Sequence, residues 1–253
     1  VQFLGTADAF NTGGRANSCY WIDDSIGAFM IDFGPTALMQ AQQRGCDLDR
    51  LDAIYVTHLH GDHIGGLPML LLHLHYDLNR TKPLVIGGPP STAQFVQDLR
   101  RSTYPSTLDR PMNFEIEYVT WQPNQSVSVA NRSVFSIHAV HDEQAEPHSL
   151  RIEGTDYSLA VSGDTGWQEA LIPLSEGASM FICEATSATS GYWGHLSVEE
   201  HQLYRAQIKP QQLVLSHLSL AALHVAQSKA DKFDWVVAFD GLSLPLTNSL
   251  AST

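Results

Sequence analysis

The chain has 253 residues, of which 43% are hydrophobic and only 16% charged, with 14 basic against 27 acidic side chains and a formal net charge of −13. That length can bury a sizeable core, and so few charges exclude a disordered, charge-rich chain. The acidic excess counts against general nucleic-acid binding, which needs a basic surface to neutralise phosphates, and leaves one oddity, twelve histidines in an acidic protein.

In chain order, short strand-like runs are expected at 1–6, 18–23, 28–32, 53–57 and 84–86, separated by turn residues. Between them, 35–44 reads as a helix that opens on a proline and stops at Gly45. The segment 65–78 places Leu67, Leu70, Leu71, Leu74 and Leu78 on one helical face, and 91–101 is a third helix. From about Phe114 the texture becomes strand-rich, with runs at 114–120, 127–129, 134–140, 149–152, 157–161 and 180–183. Helices return at 197–208, opened by the capping box Ser197…Glu200, and at 220–232, with strands at 213–216 and 235–238. This order suggests two β/α halves packed sheet against sheet with helices outside, in one domain spanning 1–253.

The longest greasy stretch, 67–78, is interrupted by His73, His75, Tyr76 and Asp77, so no membrane span is expected. Val1–Gly5 has no basic stretch or cleavage signature, so no signal peptide is expected either. Cys19, Cys46 and Cys183 are scattered and lack a Cys-x-x-Cys pair, which reads as packing thiols in a reducing, cytoplasmic setting.

The chemistry concentrates in Thr57-His58-Leu59-His60-Gly61-Asp62-His63, directly after an apolar run. By chance such a His-x-His-x-Asp-His pattern should arise on the order of 0.002 times in a chain of this composition. A tight loop leaving a strand can aim His58 and His60 to one side and Asp62 and His63 to another, with Gly61 supplying backbone freedom; ligands for two metals need that division. Three further metal-competent side chains follow predicted strands: His141, Asp164 and His217. Singly, such residues are ordinary turn residues; together with the first loop they place candidate ligands after four strands.

These residues resemble the metallo-β-lactamase superfamily, most closely its ribonuclease Z and cyclic-phosphate phosphodiesterase branch. The resemblance runs through Phe3-Leu4-Gly5-Thr6, Ile31-Asp32-Phe33-Gly34, Thr57–His63 with Gly65-Gly66-Leu67-Pro68, Pro83–Pro89, Ser162-Gly163-Asp164-Thr165, Cys183-Glu184-Ala185-Thr186 and Gly194-His195-Leu196-Ser197. It implies an αββα sandwich with a dinuclear site, in which His58, His60 and His141 hold one metal, Asp62, His63 and His217 the second, and Asp164 bridges. Imidazole and carboxylate without thiolate suit two Zn²⁺, with Mn²⁺ or Fe²⁺ as alternatives. Asp62 would orient or deprotonate the attacking water. His195, just before the Ser197 cap, would contact a phosphoryl oxygen or protonate the leaving alkoxide, and Glu184 would either orient His195 or form a turn. His73 and His75 have a smaller claim on the groove, and Trp167, Tyr192 and Trp193 are candidates for its wall.

The transfer-RNA-processing members of this branch carry a long flexible arm between the third metal histidine and the Ser-Gly-Asp-Thr segment. Here only a short link and two strands fit between His141 and Ser162, and the net charge is −13. The leading expectation is therefore a phosphodiesterase acting on a small, cyclic or acyclic, phosphodiester. A lactonase or other carboxyl-ester hydrolase is the rival, followed by a transfer-RNA 3′-processing endonuclease and a non-catalytic metal-binding protein. The expected partner is a small-molecule ester, with no general nucleic-acid or membrane binding; a homodimer is left open.

Overall fold

The structure is a computed structural model that describes residues 1–247. Its strands form two sheets. The first, in order, contains β1 (Gln2–Gly5), β2 (Cys19–Asp23), β3 (Ala28–Ile31), β4 (Leu51–Tyr55), β5 (Leu84–Gly88) and β6 (Ile116–Thr120). The second runs from β7 (Ser126–Val129) through β8 (Arg132–His138), β9 (His148–Glu153), β10 (Ser158–Val161), β11 (Met180–Glu184) and β12 (Leu213–Ser216) to β13 (Val236–Val237). Helices α1 (Ala37–Gln43), α2 (Gly61–Ile64), α3 (Leu67–Leu72) and α4 (Thr92–Thr103) accompany the first sheet; α5 (Leu171–Ser175), α6 (Val198–Tyr204) and α7 (Leu220–Phe233) accompany the second.

Central strands such as β3, β10 and β11 are covered on both faces, which is why they read as nearly continuous apolar runs, whereas β6 and β7 keep exposed residues. In β2, Tyr20 and Ile22 enter the cluster between the sheets with Phe3, Phe29, Tyr55, Leu150, Leu159 and Ile182. Their neighbours Cys19 and Trp21 point outward to a second cluster with Leu38, Leu67, Leu70 and Val96. A third cluster, including Phe181, Leu215, Val198 and Ala222, joins the other sheet to its helices. The result is the αββα sandwich anticipated from the sequence.

Local departures have physical causes. The helix expected over 65–78 is α3 followed by a π-helical turn at His73–Asp77, where the Leu78 N–H donates to the His73 carbonyl five residues back. The wider turn carries Leu78 off the buried face, and it is 39% exposed. The helix expected to reach residue 208 ends at Tyr204. α5 was not anticipated, because Pro173 sits inside it; the proline falls in the first turn, where no helical acceptor awaits an N–H. No helix among the described residues is long and apolar enough to cross a membrane.

Strand direction sets the place of the site. β10, β11 and β12 are mutually parallel, and β8 is antiparallel to β9, itself antiparallel to β10. β8, β10, β11 and β12 therefore end at the same edge, and His141, Asp164, Glu184 and His217 all lie at those ends.

Candidate metal centre

At that edge the side chains converge in overlapping groups. The ligand atoms of His58, His60 and His141 lie within 4.8 Å of one another, as do those of Asp62, His63, Asp164 and His217. Asp164 links them: its Oδ2 is 3.7 Å from His58 Nε2 and 3.5 Å from both His63 Nε2 and His217 Nε2. His141 Nε2 and His60 Nδ1 are 3.0 Å apart. The change of direction after β4 is made by α2, so Gly61 is helical and needs no unusual backbone freedom; that part of the sequence expectation is corrected. The close approach lies instead at Gly34, where a Cβ would sit 1.9 Å from the Asp62 carbonyl oxygen.

A second layer orients four of the five candidate imidazole ligands. His63 Nδ1–H donates to Asp32 Oδ2 at 2.7 Å, and His141 Nδ1–H to the Gly194 carbonyl at 2.8 Å. The Thr57 hydroxyl donates to Asp32, leaving its oxygen to accept from His58 Nδ1–H at 3.0 Å. The Thr186 hydroxyl donates to Glu184 and accepts from His217 Nδ1–H at 2.8 Å. With their outward nitrogens engaged in this way, these four rings aim the other nitrogen into the cluster, the arrangement a metal-binding imidazole requires. Gly194 has φ 74°, which places its carbonyl on His141 and leaves only 2.9 Å between a built Cβ and His141 Nδ1. Asp32 and His217 hold left-handed φ of 58° and 53°, a conformation that costs backbone energy at both positions.

Whether the residues suit metal ions can be judged from the polar atoms themselves. His58 Nε2, Asp62 Oδ2, His63 Nε2 and His217 Nε2 are buried without a hydrogen-bond partner. Buried polar groups are ordinarily paired, and here several converge, His63 Nε2 and Asp62 Oδ2 to 3.1 Å, without the geometry of a hydrogen bond. Imidazole lone pairs with two carboxylates form a donor set for divalent ions of the zinc, manganese or iron type. Their mutual fields agree: burial alone raises the pKa of Asp164, but His217, His63 and His58 outweigh it and hold the carboxyl well below the usual range. Burial pushes His58 well down, with His63 adding to it. His217 rises to about 9, since Asp164 and Asp62 outweigh the burial that lowers it.

His195 lies beside this cluster. Its Nδ1–H donates to Glu184 Oε1 at 2.8 Å, and it stands 3.9 Å from Asp164 Oδ2. Glu184 also accepts from the Thr165 and Thr186 backbone N–H groups at 2.9 and 3.0 Å, so its carboxylate is fixed from several directions. Burial lowers the His195 pKa, but Glu184 more than compensates and raises it. The cluster opens onto a cavity of about 450 Å³ whose lining includes Asp62, His141, Asp164, His195, His217, Phe10 and Tyr192.

Of the aromatic wall candidates, Tyr192 lines the cavity and stacks on His195 at 5.3 Å. Trp193 lies 6.5 Å from His141, outside the lining, and Trp167 stacks on Tyr204 at 3.8 Å, away from it. His73 and His75 pair with Asp77 and Asn113 and do not reach the cavity. Asp32, Thr57 and Thr186 stand in the motif segments quoted above but carry no assigned role there, and Phe10 lies outside those segments. For Asp32 a signal existed, a carboxylate closing the otherwise apolar run 28–31.

A family profile described as anti-Pycsar protein Apyc1 matches residues 1–236. Among curated proteins, ribonuclease Z of Methanococcus maripaludis strain C6 is 35% identical over 152 residues, covering 60% of this chain and 48% of its own length. The chain thus spans about half the length of the first curated relatives it matches. Among solved structures, YhfI of Bacillus subtilis, a metallo-β-lactamase fold protein, superposes with TM-score 0.75 at 20% identity, over 95% of this chain and 97% of its own. A diphosphatase from the PhnP family gives 0.74 at 16% identity, over 98% of both chains. At such identities the structural likeness establishes the fold, while the profile match covers nearly the whole chain. The chain belongs to the family described as anti-Pycsar protein Apyc1, in the ribonuclease Z-like branch of the metallo-β-lactamase superfamily.

Proposed function

We propose that this chain is a metal-dependent phosphodiesterase acting on small-molecule phosphodiesters, cyclic ones included. The observation that carries the reading is His195: it is held by Glu184 at 2.8 Å and lines the same cavity as Asp62, Asp164 and His217. A phosphodiester leaves as an alkoxide and needs a proton at that moment, and a histidine beside a fixed carboxylate can deliver it. His58, His60 and His141 would hold one ion, and Asp62, His63 and His217 the other, with Asp164 shared. Two Zn²⁺ suit this donor set, and Mn²⁺ or Fe²⁺ could replace them. Such ions supply positive charge for the phosphoryl oxygens and bring the pKa of water to about 7. Asp62 orients the attacking water and takes up the proton it loses, and the water oxygen bonds to phosphorus as the P–O bond to the alkoxide breaks. His195 passes its proton to that alkoxide, and Glu184 stabilises the imidazolium before transfer. The names of the similar proteins, a ribonuclease and a diphosphatase, support chemistry at phosphorus.

Protein loaded with Zn²⁺ or Mn²⁺ should cleave bis-aryl or cyclic phosphodiesters. His195→Ala should lower kcat on the order of 10²-fold or more while metal content stays constant. Rapid lactone hydrolysis with no turnover of phosphodiesters would replace this reading with a carboxyl-ester hydrolase. Two bound metals with no turnover of any ester would leave a metal-binding protein.

A further inference from the structure

Five of the twelve histidines are candidate ligands of the metal centre, and His195 stands beside it. Two others, His138 and His148, lie directly opposite each other at the end of the β8–β9 ladder. Val134 in β8 and Leu150 and Ile152 in β9 belong to the cluster between the sheets. With side chains alternating every two residues, His138 and His148 continue that same face to its edge, where apolar residues would extend the core. The Ala139 N–H donates to the Pro147 carbonyl, and the His148 N–H turns away to the Thr57 carbonyl. The two histidines are therefore a non-hydrogen-bonded pair, the kind that brings opposite side chains closest.

His148 is 1% exposed. Its Nδ1 lies 2.8 Å from the Glu146 carbonyl, which can only accept, so Nδ1 carries the hydrogen and Nε2 is a lone pair. That Nε2 is buried without a hydrogen-bond partner, as are those of His58, His63 and His217 in the metal centre. The ring centres of His138 and His148 are 5.1 Å apart. An ion about 2.1 Å from an imidazole nitrogen sits about 3.2 Å from the ring centre, so two rings on one tetrahedral ion stand about 5.2 Å apart. The rings of His58, His60 and His141, candidate ligands of a single ion, are spaced in the same way, at 4.9, 5.2 and 4.8 Å.

The pair lines a cavity of about 700 Å³ together with Trp121, Pro123, Glu143 and Glu146. This cavity shares no lining residue with the one at the metal centre. The loop 139–147 runs between them: His141 lines the first, and Glu143 and Glu146 line the second. Glu146 is committed to Ser91, whose N–H and hydroxyl donate to it at 2.9 and 2.5 Å. Glu143 is exposed and adds a carboxylate to the same lining.

We propose that His138 and His148 form a separate mononuclear site for a divalent transition ion of the zinc type, with Glu143 or water completing its shell. Imidazole suits such ions, and two of them with oxygen ligands make a site independent of the phosphodiesterase reading. An ion there ties together both ends of the loop that carries His141.

The test counts zinc in wild type, His138→Ala and His148→Ala after dialysis against the same buffered Zn²⁺ concentration. Wild type should hold one equivalent more than either variant. The metal centre is common to all three and cancels, so the comparison does not depend on how many ions that centre holds. Over a range of Zn²⁺ concentrations, loss of one imidazole should weaken binding of the extra ion tenfold or more. The same ion should give the wild type a Tm rise in excess Zn²⁺ that His138→Ala lacks. Should His148→Ala not fold, His138→Ala decides, because its ring is exposed and its removal leaves the core intact. Equal zinc content in wild type and His138→Ala overturns the site.

Discussion

Two buried polar clusters lie at opposite edges of the same sandwich, and they are built on opposite rules. At the edge where β8 and β10 begin, Arg132 donates to the Asp24 carboxylate at 2.8 and 2.6 Å and to the Ala130 carbonyl at 3.0 Å. The Tyr157 hydroxyl donates to Asp24 at 2.6 Å, and the Ile26 and Gly27 N–H groups add bonds of 2.9 and 3.0 Å. The guanidinium lies 4.7 Å above the Phe29 ring, and the Arg132 side chain is fully buried. Every charge there is answered by protein. At the edge where the same strands end, His58, Asp62, His63 and His217 each keep a buried atom without a hydrogen-bond partner. Burial alone therefore does not mark a functional site; burial with convergent unsatisfied atoms does, because only a ligand can satisfy them together.

The largest expected effect falls at the unsatisfied edge. Asp164→Ala removes the carboxylate shared by both ligand groups, and kcat/KM on a phosphodiester should fall on the order of 10³-fold or more. Metal analysis should show lost ions, and a chelator that lowers the Tm of the wild type should leave the Tm of the variant nearly unchanged. Full metal content and activity in Asp164→Ala would end the assignment of this cluster as the metal centre. The saturated edge should behave the other way. Arg132→Met leaves Asp24 buried without its partner and should destabilise by about 3–5 kcal/mol in denaturant titration, with kcat and metal content unchanged in the folded fraction. A loss of activity without a loss of stability would break the contrast between the two edges.

The two edges also differ in how far they could be read from the sequence. The ligand loop is dense, with His58, His60, Asp62 and His63 close together, and the other candidates sit just past strands whose apolar runs are unmistakable. The layers followed from the same runs. What stayed hidden is whatever joins distant segments. Asp32 meets His63 across 31 positions, the Gly194 carbonyl meets His141 across 53, and Arg132 meets Asp24 across 108. None of these pairs has a local pattern, since each contact exists only once the sheets have stacked. Phe10, 82% exposed in the cavity lining, was invisible for a different reason: nothing in a sequence distinguishes a phenylalanine held in water from one bound for the core.

The smallest effect is a dependence on acid that separates the edges without touching catalysis. Burial raises the Asp24 pKa, but hydrogen bonds from Arg132 and Tyr157 outweigh it and bring the carboxyl down to about 2, from an ordinary 3.8. The unfolded chain therefore takes up this proton at a higher pH than the folded one does. The stabilisation is complete above about pH 4 and disappears as the pH falls towards 2, a loss of roughly 1–2 kcal/mol after allowance for solvent screening. Asp62 and Asp164 are also held low, so acid weakens both edges at once, and the total acid sensitivity of the wild type cannot tell them apart. The stability gap between wild type and Arg132→Met does tell them apart, because the carboxylates of the metal edge are common to both proteins and cancel. Denaturant titrations from pH 6 to pH 2 should show that gap shrinking below pH 4. A gap that stays constant to pH 2 would mean that Asp24 gains nothing from its partners, and the saturated edge would lose its claim to be a structural counterpart of the metal centre.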